Sequence, residues 1–551
     1  MYINLRMIDI IMIQARFFVL LLLLTSCSSG TTKTYYVSAS GDNKKDGTTA
    51  ATAWKTISKV NSKKFLPGDS ILFRRGDVWR ESMTITASGN SGNYITFGSY
   101  GSGNRPKIYG SVKLVKWTVF NGNIWVSATN VKDPYSIGRY AAEIFFEETT
   151  GDEDISWGHK KKSSITDCVS EYDWTWISNH IYVYSPTDPN TRYTSIEAPQ
   201  RGIVINLNNK QYITIDGLDV RYSSLANIKE VYPSSKLNGL IIRNCHVAAT
   251  GTRGSVVGYG LSLWHSNCLI QNNVIHDCGR RSCSFNVDNA VVITITNVTI
   301  EGNEFYHGFH TTGPDIGNTG SSTFDNFIIR NNLIWDDPKW DMRDSESVED
   351  AVGIFIGNNN TSTGKFQNFH IYNNIIKNNP FKGIELTGTT SNVNIYNNTF
   401  YGYNPTSTEF GAQVYIASTS NGITIKNNVF YDDGLNSVNR YHPCIYMQNG
   451  ASAVIDYNLY YKVDHTSPIL NFAGTYTMSK WDEYKAATGN DIHSPTPADP
   501  LFVSYADLHL QNNSPAVSAG TYLGITEDFD GKPYNKDKPS LGAFEKNWLK
   551  K

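Results

Sequence analysis

A short alternation of apolar and polar residues recurs between residues 240 and 460, and each copy passes through an asparagine. The copies read LIIRNCHV, CLIQNNVI, VTIEGNEF, FIIRNNLI, FHIYNNII, VNIYNNTF, ITIKNNVF and AVIDYNLY. When the copies are superimposed, one column is asparagine at intervals of 30, 29, 42, 24, 30 and 30 residues: Asn273, Asn303, Asn332, Asn374, Asn398, Asn428 and Asn458. A recurrence of this length indicates a structural repeat.

Each copy predicts one turn of a coil built from short β-strands. The apolar alternation has the period of a strand, and helical patterning is almost absent between the copies. A single turn cannot bury its own apolar side, so the turns must stack, with parallel pairing between neighbours. Stacked asparagine amides can then bond to each other at the strand spacing of about 4.8 Å, because an amide has both a donor and an acceptor. We therefore predict an all-β chain folded as a parallel β-helix.

The other segments predict parts added to this coil, which we place at residues 201–490. Within residues 34–110, the segment WKTISKV predicts a short helix that caps the first apolar turn. Residues 111–200 lose the repeat and are rich in tryptophan, which predicts a β-rich insertion. Its aromatic residues form either a sugar platform or a small core of their own. Residues 491–551 are expected to close the coil.

The order YYVS, DG, WKTI, PGD, LF, G and W between residues 35 and 79 resembles the opening of bacterial pectin-lyase-like proteins. The segment DPLFVSYADLHLQNNSPAVSAGT, followed by DFDGKPY and SLGAFE, is similar to the closing segment of many secreted β-helix proteins. The resemblance covers nearly the whole mature chain. It implies a right-handed coil and the degradation of a polysaccharide. No catalytic motif of a particular subfamily is found, so the resemblance assigns no catalytic residue.

The first residues predict an export signal. An apolar run, FFVLLLLLTSC, follows two arginines and is too short to span a bilayer. Its last four residues, at 24–27, resemble the bacterial lipoprotein signal. This resemblance implies that residues 1–26 are a signal peptide, that Cys27 is lipidated, and that residues 27–33 are a tether. We expect a lipoprotein anchored in the outer membrane, with a plain secretory signal as the alternative.

Composition narrows the possible partners. The formal net charge is −2 and 18% of the residues are charged, so no general basic field is available for nucleic acid. Tyrosine (33), phenylalanine (24) and tryptophan (12) are abundant, which suggests stacking surfaces for sugars, although packing accounts for most such residues. We expect a monomer whose partners are a polysaccharide and, through the anchor, a membrane.

Six cysteines follow Cys27 in the sequence. An exported protein meets an oxidising compartment, so Cys278 and Cys283 could form a disulfide, and Cys245 could stack near Cys268 on a neighbouring turn. No cysteine pair has metal-site spacing with accompanying histidines. A zinc site is therefore not expected.

A second strand follows in each turn, and its middle residue should point outward. The aligned copies predict this outward column: Ser262, Val292, a position near Asp315, Phe355, Glu385, Tyr415 and Tyr446. A carboxylate between aromatic residues on an exposed face suits sugar chemistry, so we predict that Phe355, Tyr415 and Tyr446 bind substrate. The loop in the 42-residue interval ends in Glu349 and Asp350 and should bulge beside the same face.

This column permits a glycoside hydrolase. Asp315 and Glu385 would stand two turns apart, about 9.6 Å at the usual strand spacing. An inverting hydrolase separates its two carboxyl groups by about 6.5–9.5 Å, with one group protonating the leaving oxygen and the other activating water. The pair lies near the upper end of that range.

The same side of the coil permits β-elimination on a uronate, which the resemblance favours. Elimination needs a base near the C5 proton and a cation, often calcium, that neutralises the carboxylate of the substrate. The candidate bases or substrate clamps are Arg343, Lys382, His265 and His310. The calcium ligands would be Asp315, Glu349, Asp350 and Glu385.

Other interpretations stay open. A coil that binds glycans without catalysis would need only the aromatic column. Among the candidates, His307 and His310 could simply order a loop, and Arg280 and Arg281 could be solvated. Glu385 is the strongest candidate for a functional residue, because a single acid inside the strand GIEL must either be solvated or take part in function.

Overall fold

The computed structural model describes the protein at residues 31–136, 142–149, 155–161, 164–231, 236–252, 257–287, 292–336, 352–358, 363–378, 382–402, 411–432 and 442–546. In these ranges, successive strands of each turn enter three long sheets, here sheet 1, sheet 2 and sheet 3. The strands pair in parallel within each sheet, apart from the last pair of sheet 3. The predicted parallel β-helix is confirmed.

Sheet 1 consists of Thr34–Val37, Ser70–Arg74, Ile95–Tyr100, Ile213–Asp216, Leu237–Arg243, His265–Gln271, Thr294–Glu301, Thr323–Arg330, Lys365–Tyr372, Thr389–Tyr396, Ile423–Lys426 and Ala453–Asp456. Sheet 2 consists of Val78–Trp79, Lys107–Tyr109, Asp219–Ser223, His246–Thr250, Val274–Cys278, Glu304–Gly308, Leu333–Trp335, Ile375–Lys377, Thr399–Tyr401, Val429–Asp432 and Leu459–Lys462. Sheet 3 consists of Met83–Thr84, Ile203–Asn206, Ala226–Lys229, Tyr259–Ser262, Arg281–Ser284, Thr311–Asn318, Val352–Asn358, Lys382–Thr387, Ala412–Ile416, Ile445–Met447, Leu470–Asn471 and Thr475–Tyr476.

Apolar side chains stacked in columns fill the interior of the coil. One sheet 1 column aligns these buried residues: Ile213, Leu240, Cys268, Val298, Phe327, Phe369, Val393 and Ile423. Where rings follow each other they stack, and the centroids of Phe327 and Phe369 are 4.9 Å apart. Each turn therefore buries its apolar side against its two neighbours, and stability is distributed along the coil.

The predicted asparagine column lies at the corner between sheet 1 and sheet 2, and all seven side chains are buried. From Asn303 onward, each Oδ1 accepts from the asparagine one turn earlier: Asn374 Oδ1 accepts from the backbone N–H of Asn332 at 3.1 Å and from its Nδ2 at 2.9 Å. Each Nδ2 also donates to a main-chain carbonyl, as Asn374 does to Ile329 at 2.9 Å. The column thereby satisfies the polar groups of an inward bend that water does not reach.

The residue before each member of this column explains the repeated asparagine pair. This preceding residue has a left-handed backbone with φ between 51° and 58° at five positions: Asn272, Asn331, Asn373, Asn397 and Asn427. Asparagine tolerates this conformation better than most other side chains. The first asparagine of the pair therefore turns the chain, and the second joins the buried column.

The disulfide predictions are wrong, because all six cysteines in the described residues are free and buried. Cys245 occupies the corner position before Asn273, whose Oδ1 accepts its backbone N–H at 3.0 Å, whereas Cys268 lies within a strand of sheet 1. Cys278 and Cys283 belong to strands of two different sheets. Burial raises the pKa of these thiols, which fill the core as small apolar side chains.

Short helices lie at both ends of the coil. The helix Ile57–Asn61 buries Ile57 and Val60 in the core, as predicted for a cap. The helix Trp481–Thr488 buries Trp481 and Tyr484 in the same core at the far end. A further single turn, Pro189–Arg192, lies between them in the sequence. Among the helices of the described ranges, none is long and apolar enough to cross a membrane.

Residues 111–199 form two smaller sheets beside the coil. One contains Ser111–Lys113, Phe145–Glu148, Ile155–Trp157 and Tyr193–Pro199, and the other contains Trp117–Asn121, Ile124–Ser127, His159–Lys160, Asp173–Ile177 and His180–Tyr184. Trp117 and Trp174 are buried in a separate core, and Trp125 and Trp176 pack against it. These four tryptophans therefore serve packing, which favours the small core over the sugar platform.

We predict that Asn374→Ala lowers the free energy of unfolding by about 3 kcal/mol, because the backbone N–H and the Nδ2 of Asn332 lose their shared acceptor and the Oδ1 of Asn398 loses one of its two donors. Urea denaturation followed by circular dichroism measures the change. Asn421→Ala, at an exposed asparagine, is the matched control and should change the free energy by less than about 0.5 kcal/mol. Equal losses for both variants would contradict a stabilising role for the column.

Candidate active site

Sheet 3 carries the outward column, with one correction to the sequence alignment. Parallel pairing aligns these residues: Ser262, Ser284, Asp315, Phe355, Glu385, Tyr415 and Tyr446. The sequence places Val292 second, but Val292 lies outside sheet 3, just before the sheet 1 strand Thr294–Glu301, and is 70% exposed. The aliphatic run AVVIT imitates a strand of this face, whereas the turn uses the polar strand Arg281–Ser284. The acids Asp315 and Glu385 stand two strands apart.

The strand Thr311–Asn318 contains an extra residue just before Asp315. A step of four residues, from Thr311 to Asp315, pairs with a step of three on the next strand, from Val352 to Phe355. Such a bulge bends a strand and re-aims the side chain beside it. The sequence pattern does not reveal this bulge, because the strand has no regular alternation at this point.

Asp315 is completely buried in an ion pair with Arg281. Its Oδ2 accepts from Arg281 Nε at 2.8 Å and from Thr311 Oγ1 at 3.1 Å. Burial alone would lower the pKa of Arg281, but the charge of Asp315 raises it. The interpretation of Arg281 as a solvated residue is therefore wrong, because its strand points the guanidinium at a buried acid.

Glu385 lies between Phe355 and Tyr415 in the column and is 7% exposed. Its Oε1 accepts from Lys382 Nζ at 2.7 Å. The expectation of an exposed acid is wrong, because Lys382, three residues earlier on the same strand, pairs with it. The same Nζ lies 4.4 Å from the ring centre of Tyr415, which stacks on Tyr446 with centroids 5.2 Å apart.

His310 stands at the edge of this group, immediately before the bulged strand. Its side chain is 18% exposed, so it is more accessible than the two acids. Its Nδ1 lies 3.0 Å from Thr311 Oγ1 and 3.9 Å from Asp315 Oδ2. The imidazole is thus held by the same residues that surround Asp315.

Burial and three neighbouring cations determine the protonation of His310. Desolvation, followed by the charges of Arg281, Arg280 and Lys382, lowers the pKa of His310 well below its usual value. The imidazole is therefore uncharged at neutral pH and can accept a proton. Strongly shifted pKa values cluster at functional sites, so a neutral histidine beside several cations indicates a candidate active site.

These side chains border a cleft of about 610 Å³ on the face of sheet 3. The polar and aromatic residues that line it are Tyr259, Arg280, Arg281, Asn286, His310, Asn318, Phe355, Asn358, Glu385 and Thr387. Thr387 Oγ1 and Asn358 Oδ1 are buried and have no hydrogen-bond partner among the described residues. Buried polar atoms of this kind usually meet a water or a ligand.

The sequence missed Tyr259 and Arg281 as lining residues, although a signal for them exists. Tyr259 and Arg281 pair with each other across adjacent strands. Each stands three residues before a member of the outward column, with the same spacing that separates Lys382 from Glu385. Tyr259 and Arg281 thus form a second row of side chains that line the cleft.

His265 does not belong to this site. It begins a strand of sheet 1 and is completely buried, with Nε2 2.8 Å from the carbonyl oxygen of Lys210 and Nδ1 3.7 Å from Glu230 Oε2. Burial lowers the pKa of His265 to about 4 and raises the pKa of Glu230 to about 7. The prediction of His265 as a base on the sheet 3 face is wrong, because the chain turns the corner before this residue.

Three further candidates, Arg343, Glu349 and Asp350, lie outside the described residues. The two remaining calcium ligands, Asp315 and Glu385, do not fit a shared calcium site, because each accepts from a cationic side chain. The described part of the chain contains no group of three or more histidine, cysteine, aspartate or glutamate side chains suited to a metal ion. Calcium therefore enters none of the steps proposed below.

Comparisons with known proteins agree with this architecture. Residues 201–400 match the family model described as a right handed beta helix region. No curated protein matches the chain by sequence.

Among solved structures, the chain is similar to XylC in complex with xylose, at 13% identity over 93% of this chain and 98% of that one, with a TM-score of 0.50. It is also similar to the pectate lyase Pel9A, at 14% identity over 94% and 98% of the two chains and a TM-score of 0.49. The GH136 lacto-N-biosidase from Eubacterium ramulus matches at 13% identity over 77% and 67%, with a TM-score of 0.44. The three stacked parallel sheets, together with the match over residues 201–400, show that this chain has the right-handed parallel β-helix fold.

Proposed function

We propose that the protein cleaves an acidic polysaccharide by β-elimination in the cleft on sheet 3. The observation that carries this proposal is an uncharged imidazole, His310, set among three cationic side chains. A uronate substrate needs both features: a base for the proton beside its carboxylate, and positive charge that binds the carboxylate. The lining of the cleft therefore suits elimination.

His310 removes the proton from C5 of a uronate residue. The electrons of the C5–H bond form a double bond between C4 and C5, the bond from C4 to the glycosidic oxygen breaks, and that oxygen takes a proton from water. Arg281 binds the uronate carboxylate, on which negative charge accumulates as the proton leaves. Asp315 positions Arg281 through their buried ion pair.

The aromatic members of the column suit sugar binding beside this centre. Phe355 lies on the strand between the two acids, and Tyr415 and Tyr446 continue the column beyond Glu385. All three rings are partly exposed. We propose that they carry the sugar rings that flank the cleaved bond, since an aromatic ring offers a flat apolar surface next to polar neighbours.

Comparison supports a sugar substrate at the level of the fold. XylC, whose structure was solved with xylose, matches over 98% of its length. At 13% identity the likeness extends to the fold and not to the residues of the cleft. The type of reaction is therefore argued from His310 and its cations alone.

A hydrolase that uses Asp315 and Glu385 is the second candidate. The two acids stand two strands apart, about 9.6 Å at the usual strand spacing, which is near the range for inversion. Each acid, however, pairs with a cation, at 2.8 Å for Asp315 and 2.7 Å for Glu385. Both acids are thus occupied as acceptors of a cation, whereas an inverting hydrolase needs one carboxyl group that donates to the leaving oxygen.

A coil that binds a glycan without cleaving it is the third interpretation, for which the aromatic column would suffice. Export and lipidation also belong to the proposal. The signal peptide, Cys27 and the tether up to residue 30 lie outside the described residues, so the outer-membrane anchor stays a prediction. The monomeric state likewise stays a prediction.

We predict that His310→Gln lowers kcat about 10³-fold and leaves KM nearly unchanged, because the base is lost while the cations still bind the carboxylate. The ultraviolet absorbance of the unsaturated product, with polygalacturonate and alginate as substrates, measures the rate. His180→Gln, on the strand His180–Tyr184 of the insertion, is the matched control and should retain full activity. New reducing ends without ultraviolet absorbance from the wild type would show hydrolysis, and binding without either product would show a binding protein.

The pH dependence tests the electrostatics of the same base. The acidic limb of kcat/KM should lie below the ordinary histidine pKa of about 6.5, because His310 stays uncharged at lower pH than usual. Arg280→Met removes one positive charge, makes protonation of His310 easier and raises its pKa. The acidic limb should therefore move to higher pH by about half a unit. Arg243→Met, on a sheet 1 strand away from the sheet 3 cleft, should leave the limb in place. An unmoved limb in Arg280→Met would contradict this role of His310.

Glu385→Gln separates elimination from hydrolysis. In elimination Glu385 only neutralises Lys382, so kcat should fall less than about tenfold. In hydrolysis the same change removes a reacting carboxyl group and should lower kcat by about 10³-fold or more. Glu483→Gln, at an exposed position of the helix Trp481–Thr488, is the control for the substitution itself.

A further inference from the structure

A second cleft lies on sheet 1, on a different face from the candidate active site. Its volume is about 1000 Å³. The outer surface of sheet 1 forms its floor, and residues 523–531 of the closing segment, here the strap, form one wall. None of the chemistry proposed for the sheet 3 cleft uses this place.

The floor is a column of long polar and aromatic side chains on five adjacent strands. In order, its members are Gln271, Glu301, Arg330, Tyr372 and Tyr396. At the usual strand spacing the column extends over about 19 Å, which is long enough for a short oligosaccharide. Beside it, a second row contains Ile328, His370 and Asn394.

Hydrogen bonds hold the floor in one arrangement. Glu301 accepts from Gln271 Nε2 at 2.7 Å and from Arg330 Nε at 2.7 Å. Arg330 Nη1 then donates to the hydroxyl of Tyr372 at 3.0 Å. The hydroxyl of Tyr396 donates to the Oδ1 of Asn394, two residues earlier on the same strand, at 2.7 Å, and this bond orients the ring. The two tyrosine rings are thus oriented by bonds at their edges.

The wall is fixed as well. Asn373 Nδ2 donates to the carbonyl oxygen of Glu527 at 2.7 Å, and Asn331 Nδ2 donates to that of Asp528 at 3.2 Å. The carboxylate of Asp528 is buried and accepts from the backbone N–H groups of Lys532 and Glu545 at 2.8 Å each. The left-handed asparagines of the corner therefore hold the strap, and the cleft is formed before any ligand arrives.

Acidic groups outnumber the cations in this cleft, whose lining contains Glu301, Glu527, Asp528 and Asp530 but a single arginine, Arg330. Glu301 pairs with Arg330, and Asp530 pairs with Lys532 at 2.8 Å and with His509 at 2.9 Å. Glu527 adds a further negative charge at the wall. The cleft thus lacks the surplus of positive charge that the sheet 3 cleft offers, so a polyuronate has nothing here that would neutralise it.

The remaining groups suit uncharged sugars. Burial lowers the pKa of His370, so its ring is neutral at pH 7. Its Nδ1 lies 3.3 Å from Asn394 Nδ2 and accepts from it, which leaves the Nε2–H to donate to a sugar hydroxyl. Asn394 adds an amide beside it. Tyr372 and Tyr396 on adjacent strands provide apolar ring surface for the flat side of a pyranose.

We propose that this cleft binds a neutral stretch of a polysaccharide and holds the protein on its substrate while the sheet 3 cleft acts on acidic residues elsewhere. The binding itself does not depend on the reaction type at sheet 3. Two faces of one rigid coil would then recognise two chemically different parts of a mixed polymer.

The test is affinity electrophoresis of the full chain in gels containing xylan, galactan or glucomannan, and in gels containing polygalacturonate or alginate. At least one neutral polymer should retard the wild type. The double variant Tyr372→Ala with Tyr396→Ala should bind that polymer about tenfold more weakly. The double variant with phenylalanine at both positions keeps the rings and should bind within about threefold of the wild type. Lys426→Ala, one strand beyond the cleft in the same column, is the matched control and should bind normally.

Three outcomes overturn the proposal. They are retardation of the wild type by none of the neutral polymers, equal retardation of the wild type and the alanine double variant, and a loss in that variant confined to the polyuronates. The ultraviolet assay on short acidic oligosaccharides separates the two faces, because the alanine double variant should keep the wild-type rate there. A melting temperature like that of the wild type shows that the variant is folded.

Discussion

The buried asparagine column is the constraint on which the rest of the structure depends. An amide inside an inward bend has to be hydrogen-bonded, and along this column the amides bond to the asparagine of the neighbouring turn and to a main-chain carbonyl. A slip by a single residue would break these bonds and turn every apolar side chain of the strand outward. The register of all three sheets follows from this corner. Residues far apart in sequence consequently form straight columns on the outer faces.

The parts of the structure that follow from periodicity could be predicted from the sequence. The asparagine column, the parallel coil and the capping helix are each marked by a local pattern with a physical reason. The same holds for the alignment of Phe355 and Glu385, because their strands keep the alternation of the coil. Val292 was misplaced because an aliphatic run outside sheet 3 imitates a strand better than the polar strand that the fold uses.

Side-chain pairing could not be predicted in the same way. Whether Glu385 faces solvent depends on Lys382, and whether Arg281 is solvated depends on a bulge that places Asp315 beneath it. His265 lies on sheet 1 and not on sheet 3, because the chain turns a corner before it and no sequence pattern predicts that corner. The cysteines were paired from the redox compartment alone, although each thiol has a place in the apolar core. These outcomes depend on tertiary contacts, which the sequence pattern of one strand does not predict.

The distance in sequence between neighbouring asparagines has no effect on the corner itself. Asn332 and Asn374 are separated by 42 residues and bond at 2.9 Å, while Asn398 and Asn428 are separated by 30 residues and bond at 3.1 Å. The hydrogen-bond geometry of the corner is the same in both cases, whatever the length of the segment between the two asparagines. Loops can therefore be exchanged between turns without redesigning the interior, which makes the outer surface of such a protein modular while its skeleton stays the same.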